Sequence, residues 1–194
     1  TWILDHYYTP GNLTLCYGQP AGCTAAPANN SCYSPATLAV GNACTVTNGD
    51  VCLATQSIAP ASCSGNTAAS ALDVWYTITP NQSNVTLTCQ SGTSTNCVMG
   101  LYSGACPNFT LIACADGTGA GGEESISASL TAGTTYFVRV YDYTGNTAGT
   151  DFTICAQYTL PDLMITAGSA SAPATVAAGA SFAVACSETN AGVG

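Results

Sequence analysis

The chain reads as all-β, an antiparallel β-sandwich rich in disulfides. Three observations predict this. Short apolar runs recur from about residue 29 to residue 158 at spacings of 8 to 15 residues, broken by Gly, Asn, Pro and Ser turns, with no helical apolar period. Residues 136–141, Tyr-Phe-Val-Arg-Val-Tyr, alternate at a period of two in β-branched and aromatic side chains, the pattern of a covered strand. Cysteine use supplies the third: 12 Cys in a Thr-rich chain with 10 acids and one cation indicate a disulfide framework formed in an oxidising compartment.

Residues 1–28 form an extension. Trp2, Ile3, Leu4, Tyr7 and Tyr8 make an aromatic, apolar head, followed by a turn at Pro10 and Gly11 and a strand-like Leu13-Thr14-Leu15. Such a terminal strand packs on its own domain or adds to the sheet edge of another copy. The sandwich proper, 29–158, carries candidate strands at 36–40, 44–47, 51–57, 73–79, 84–89, 98–102, 110–115, 124–130, 134–142 and 151–157. The lead-in Leu130-x-x-Gly133-x-x-Tyr136 resembles the tyrosine corner of β-sandwiches, in which a Tyr near a strand start bonds back across a turn. Thr1 in place of Met is the expectation of a processed product or of part of a longer chain.

Several of these stretches together resemble one family. Cys32-Tyr-Ser-Pro-Ala-Thr-Leu38, Leu72-Asp-Val-Trp-Tyr76, Leu101-Tyr-Ser-Gly-Ala-Cys106, Leu111-Ile-Ala-Cys-Ala-Asp116, the strand 130–142 and Asp151-Phe-Thr-Ile-Cys155 occur in the order found in bacterial pre-peptidase C-terminal-like domains. That resemblance implies a jelly-roll-like β-sandwich serving as a secreted accessory module, not a catalyst. From Pro161-Asp-Leu163 the texture changes, and residues 159–194 resemble the opening of a bacterial adhesion-related Ig-like (CARDB-type) domain. Only two or three strands of such a sandwich are present, so the segment is read as a partial Ig-like unit that must be completed by other residues.

Charge excludes whole classes of function. A net charge of −9 with a single Lys or Arg leaves no footprint for nucleic acid and no attraction to anionic membranes. No stretch approaches the roughly twenty apolar residues of a membrane span, so no direct membrane insertion is expected. Only 6% of residues are charged, so hydroxyls and amides must solvate the surface.

The chemical inventory is thin. His6 beside Asp5 is the one histidine, and adjacent residues of a strand point apart; no Gly-x-Ser-x-Gly elbow and no lysine occur. No enzyme and no cofactor are expected. Asp116, Glu123 and Glu124 flank a glycine-rich turn and are the candidate calcium ligands, against a solvated loop. Arg139, the sole cation, needs a carboxylate if buried, with Asp73 the preferred partner and Asp142 or Asp151 the alternatives. No Cys-x-x-Cys pair supports zinc. The cysteines are read as local staples: Cys16 with Cys23, Cys44 with Cys52, Cys89 with Cys97, Cys32 with Cys63, Cys155 with Cys186, and, as the family resemblance implies, Cys106 with Cys114. Sequons at Asn12, Asn29, Asn81, Asn84 and Asn108 mark surface turns.

These readings converge on a secreted, non-enzymatic protein of a bacterial cell surface. The expectation is head-to-tail self-association into a fibre through the terminal segments, Trp2, Ile3, Leu4, Tyr7 and Tyr8 among them. The alternative is an accessory or export module that binds surface polysaccharide, with Trp2, Tyr7, Tyr8, Tyr102, Tyr141 and Tyr143 as stacking faces.

Overall fold

A computed structural model describes residues 23–59, 62–63, 72–145 and 151–159, with short pieces at 163–165, 175, 177–178, 184–185 and 188–190. The strands among them are β1 (Ala36–Thr37), β2 (Val40–Gly41), β3 (Thr47–Asp50), β4 (Asp73–Ile78), β5 (Asn84–Ser91), β6 (Cys97–Ala105), β7 (Asn108–Ala115), β8 (Glu123–Ser129), β9 (Tyr136–Asp142), β10 (Asp151–Tyr158), β11 (Leu163–Ile165) and β12 (Glu188–Asn190). No helix occurs among the described residues. One sheet has the order β1-β4-β9-β6-β7; the other has the order β2-β10-β5-β8, with β3 also paired to β10. β11 and β12 pair antiparallel as a separate two-stranded piece.

Alternation places the core between the two sheets. Val74, Tyr76 and Ile78 of β4, Val138 and Val140 of β9, and Met99 and Leu101 of β6 point inward from the first sheet. Val85, Leu87, Ile126, Phe152 and Ile154 meet them from the second. The two sheets differ on their outer faces, and the difference is written in the sequence. β4, β6 and β9 are apolar or aromatic at nearly every position because the first sheet is covered on both sides. β5 and β8 alternate, inward rows mostly apolar but including Ser91 and Glu124, outward rows polar throughout, because the second sheet has one wet face.

Two features of the sheets depart from the sequence reading. The sheets are mixed: β1 runs parallel to β4 and β2 runs parallel to β10. The expected strands 44–47 and 51–57 become one strand, β3, at Thr47–Asp50. Asp50 stops it by accepting the Cys52 N–H at 2.9 Å, and Leu53 follows with a φ of 54°, so the chain turns where apolar content alone suggests extension.

The cysteine pairing is long-range. Cys23 joins Cys52, Cys32 joins Cys106, Cys44 joins Cys155 and Cys63 joins Cys114, spanning 29, 74, 111 and 51 residues. This replaces the local pairs expected for Cys32 with Cys63, Cys44 with Cys52, Cys106 with Cys114, Cys16 with Cys23 and Cys155 with Cys186. Hairpin geometry explains the failure for Cys106 and Cys114. Cys106 lies in the turn, while Cys114 lies opposite Gly100, about 20 Å up the β6–β7 ladder. Cys89 and Cys97, also expected as a local pair, stand as free thiols in the core. Cys16 and Cys186 lie outside the described residues. Two of the four bridges strap the segment before β4 onto the outer face of the first sheet, and Cys44–Cys155 ties that segment to β10 of the second.

Candidate functional site

Arg139 stands on the outer face of β9, in register with Trp75 of β4 and Gly100 of β6. Its Nη2 donates to Asp73 Oδ2 at 2.5 Å and to the Ile58 carbonyl at 2.8 Å. The other carboxylate oxygen of Asp73 accepts from Trp75 Nε1 and from the Ser57 hydroxyl, each at 2.8 Å. The guanidinium carbon lies 5.4 Å from the Trp75 ring and 5.3 Å from the Tyr141 ring. Phe109 stacks on Trp75 at 5.0 Å, and the Cys32–Cys106 bridge packs on the same cluster. Both charged side chains are fully buried. The pair therefore pins the covering segment to the sheet and is closed to ligands. Asp142 is committed elsewhere, accepting the N–H groups of Asn96 and Thr144 at 2.9 Å each. Asp151 lies on the other sheet.

Burial also governs the phenols. It pushes Tyr76 and Tyr141 up to about 12 from the usual 10.0. Tyr102 is raised by burial as well, with the Arg139 charge opposing the rise. Tyr102 and Tyr141 are thus core residues and not stacking faces, whereas Tyr143 is 47% exposed. Trp2, Ile3, Leu4, His6, Tyr7 and Tyr8 lie outside the described residues.

The three acids read as calcium ligands are not brought together. Glu123 and Glu124 are neighbours on β8 and point to opposite faces. The buried Glu124 carboxylate accepts from Gly117 N at 3.0 Å and from Thr118 N and Oγ at 2.6 Å, which anchors the glycine-rich turn after Asp116. Among the described residues no group of three or more His, Cys, Asp or Glu could hold a metal ion.

What remains open is the outer face of the second sheet, which sequence reasoning passed over. Its rows are set by register: Gln157, Thr86 and Ser127 in one, Thr153, Gln90 and Glu123 in another. Thr86 and Ser127 share a hydrogen bond at 3.1 Å. At the end of β5 a groove of about 340 Å³ is lined by Asn48, Gln90, Gly92, Asp151, Phe152 and Thr153. Gly49 and Gly92 are required there. A Cβ on Gly49 would collide with the Phe152 ring and the Tyr76 hydroxyl, and one on Gly92 with the Asp151 side chain and carbonyl. A second depression of about 420 Å³ lies at the opposite end of β5, lined by Asn84, Thr86, Ser127, Ser129 and Thr159. Asp50 is paired in register with Asp151, so the charge beside the first groove is negative. Hydroxyl, amide and carboxylate groups without a cation suit a neutral, hydroxyl-bearing ligand and repel anions. The signal that could have marked this face was the Thr/Ser alternation of β5 and β8.

No curated protein matches the chain. Among solved structures, the pre-peptidase C-terminal domain of a collagenase from Bacillus anthracis is 11% identical with a TM-score of 0.40, covering 63% of this chain and 95% of that one. PliG, a periplasmic inhibitor of g-type lysozyme from Aeromonas hydrophila, is 19% identical with a TM-score of 0.37, covering 63% and 96%. The family model that matches is the T9SS-associated "Galactose binding domain-like" one, over residues 28–154. The matched stretch is the one whose motifs resemble pre-peptidase C-terminal-like domains, and it ends before β11 and the segment read as Ig-like. A T9SS-associated domain closed by several disulfides is that of a secreted protein. Since the match spans well over half of its length, the chain belongs to the T9SS-associated galactose binding domain-like family.

Proposed function

We propose that the chain is a non-catalytic accessory module that holds a secreted protein on a neutral surface polysaccharide, through the wet outer face of the β2-β10-β5-β8 sheet. The groove between Asn48, Gln90, Asp151 and Thr153 carries this reading, because its lining combines amide, hydroxyl and carboxylate groups. The family's description as galactose binding domain-like supports a sugar as the ligand. No His, Cys or Lys lines the groove, which favours binding over chemistry. Each sugar hydroxyl bonded there contributes about 0.5–1.5 kcal/mol net, so a single residue binds weakly and a polymer gains by repetition.

Affinity electrophoresis through gels loaded with neutral galactan or glucan, beside sulfated and carboxylated polymers, tests the proposal. Retardation by a neutral polymer is expected, falling at least about twofold in the Asn48→Ala, Thr153→Ala double variant, as loss of one to two such bonds requires. Retardation by charged polymers alone, or a double variant that binds like the parent, would contradict it. Head-to-tail assembly is the second reading. Trp2, Ile3, Leu4, Tyr7 and Tyr8, on which it rests, lie outside the described residues, and sedimentation of the same sample reports it independently.

A further inference from the structure

Cys89 and Cys97 stand apart from the staples. Among the described cysteines they are the free ones, and both are fully buried in the central core cluster. Cys89 lies on the inward row of β5 and Cys97 opens β6, so the chain passes from one sheet to the other through residues 92–96 between them. Across the base of that arch Cys97 N donates to Ser91 Oγ at 3.1 Å. Ser91 and Cys89 project from the same face of β5, so the contact that closes the arch sets Cys97 beside Cys89. Both side chains thus enter one core cluster from the two sides of the arch.

We propose that Cys89 and Cys97 are an oxidation site, closed during export folding into a further disulfide that links the two sheets through the core. The reaction is thiol–disulfide exchange. The two thiols lose two protons and two electrons, an S–S bond forms between them, and the disulfide of an extracytoplasmic thiol oxidase breaks and leaves as a dithiol. In the finished sandwich the neighbouring Cys97, together with burial, holds Cys89 well above the usual thiol range, while the neighbouring Cys89 holds Cys97 below it, as befits two adjacent thiols. Because both sulfurs are enclosed in the finished sandwich, exchange precedes closure of the sheets, and the bond is afterwards out of reach of solvent thiols.

Peptide mapping of the exported full chain tests this. The protein is denatured without reductant in the presence of iodoacetamide, digested with thermolysin and analysed by mass spectrometry. A Cys89–Cys97 linked peptide, free of alkylation until reductant is added, is the expected result. Alkylation of both cysteines before reduction, or linkage of either to Cys16 or Cys186, would overturn the proposal. The Cys89→Ser variant gives a second readout that survives partial misfolding. It should expose one alkylatable thiol more than the parent, at Cys97, whereas two free thiols in the parent would make it expose one fewer.

Discussion

Removing the Asp73 carboxylate would strip Arg139 of its ionic partner and leave a guanidinium sealed among Trp75, Tyr102 and Tyr141. Asp73→Ala should therefore cost about 3–5 kcal/mol, measured by guanidinium denaturation, because the remaining charge is buried without compensation. The double variant Asp73→Val, Arg139→Met should recover part of that loss, since a buried pair replaced by apolar groups is often near neutral while Trp75 Nε1 and Ser57 still lose their acceptor. A single variant within about 1 kcal/mol of the parent would show that the pair does not pin the covering segment. The phenols give a pH prediction of definite sign. Tyr76 and Tyr141 bind their protons more tightly folded, at about 12, than at the unfolded 10.0, so their contribution is fully present below pH 10 and is lost as pH rises toward 12. Denaturation midpoints should be level through pH 9 and fall above pH 10. At this scale the Arg139 partner was legible, because a lone cation in an apolar strand has few ways to be neutralised. The role of Glu124 was not. Its carboxylate is used by backbone N–H groups of a glycine-rich turn, and that geometry leaves no mark in the spacing of acids.

Among the elements, the long strands were legible to within a few residues, since each of β4 to β10 is an apolar or alternating run bounded by turn residues. The short ones were not. β1 and β2 are two residues each and run parallel to their neighbours, a relation set by the path of the covering segment and by its disulfides. The corner before β9 is present as its motif suggests, with the Tyr136 hydroxyl accepting the Thr131 N–H at 3.0 Å. Tyr136→Phe should cost about 1 kcal/mol, because water can reach Thr131 and replace part of the bond. Gly92→Ala bears on the groove. The added Cβ must displace the start of β10, so a loss of roughly 1–3 kcal/mol is expected together with loss of polysaccharide retention. A variant as stable and as retentive as the parent would contradict the groove geometry. The wet face itself could have been found from sequence. β5 and β8 alternate while β4, β6 and β9 do not, and that contrast distinguishes a sheet open on one side from a sheet covered on both.

For the whole molecule, the disulfides join segments that are distant in sequence, and the sequence held no rule to choose among the many possible pairings. Their arrangement explains how a chain with so few charges stays closed: bridges and one buried ion pair clamp the first sheet on its outer side. One consequence is resistance to trypsin. Arg139 is the only Lys or Arg in the chain and is fully buried, so the native protein should survive digestion, whereas the reduced, unfolded chain should be cut once into residues 1–139 and 140–194. The covering of the first sheet also leaves the second as the surface free to act, and the proposed function rests on that asymmetry. Retardation of the native chain in a neutral-polysaccharide gel, compared with its Asn48→Ala, Thr153→Ala variant, tests it most directly. Specific retardation that fades in the variant while its denaturation midpoint is unchanged is the predicted result; equal mobility of the two proteins in every neutral polymer would contradict it.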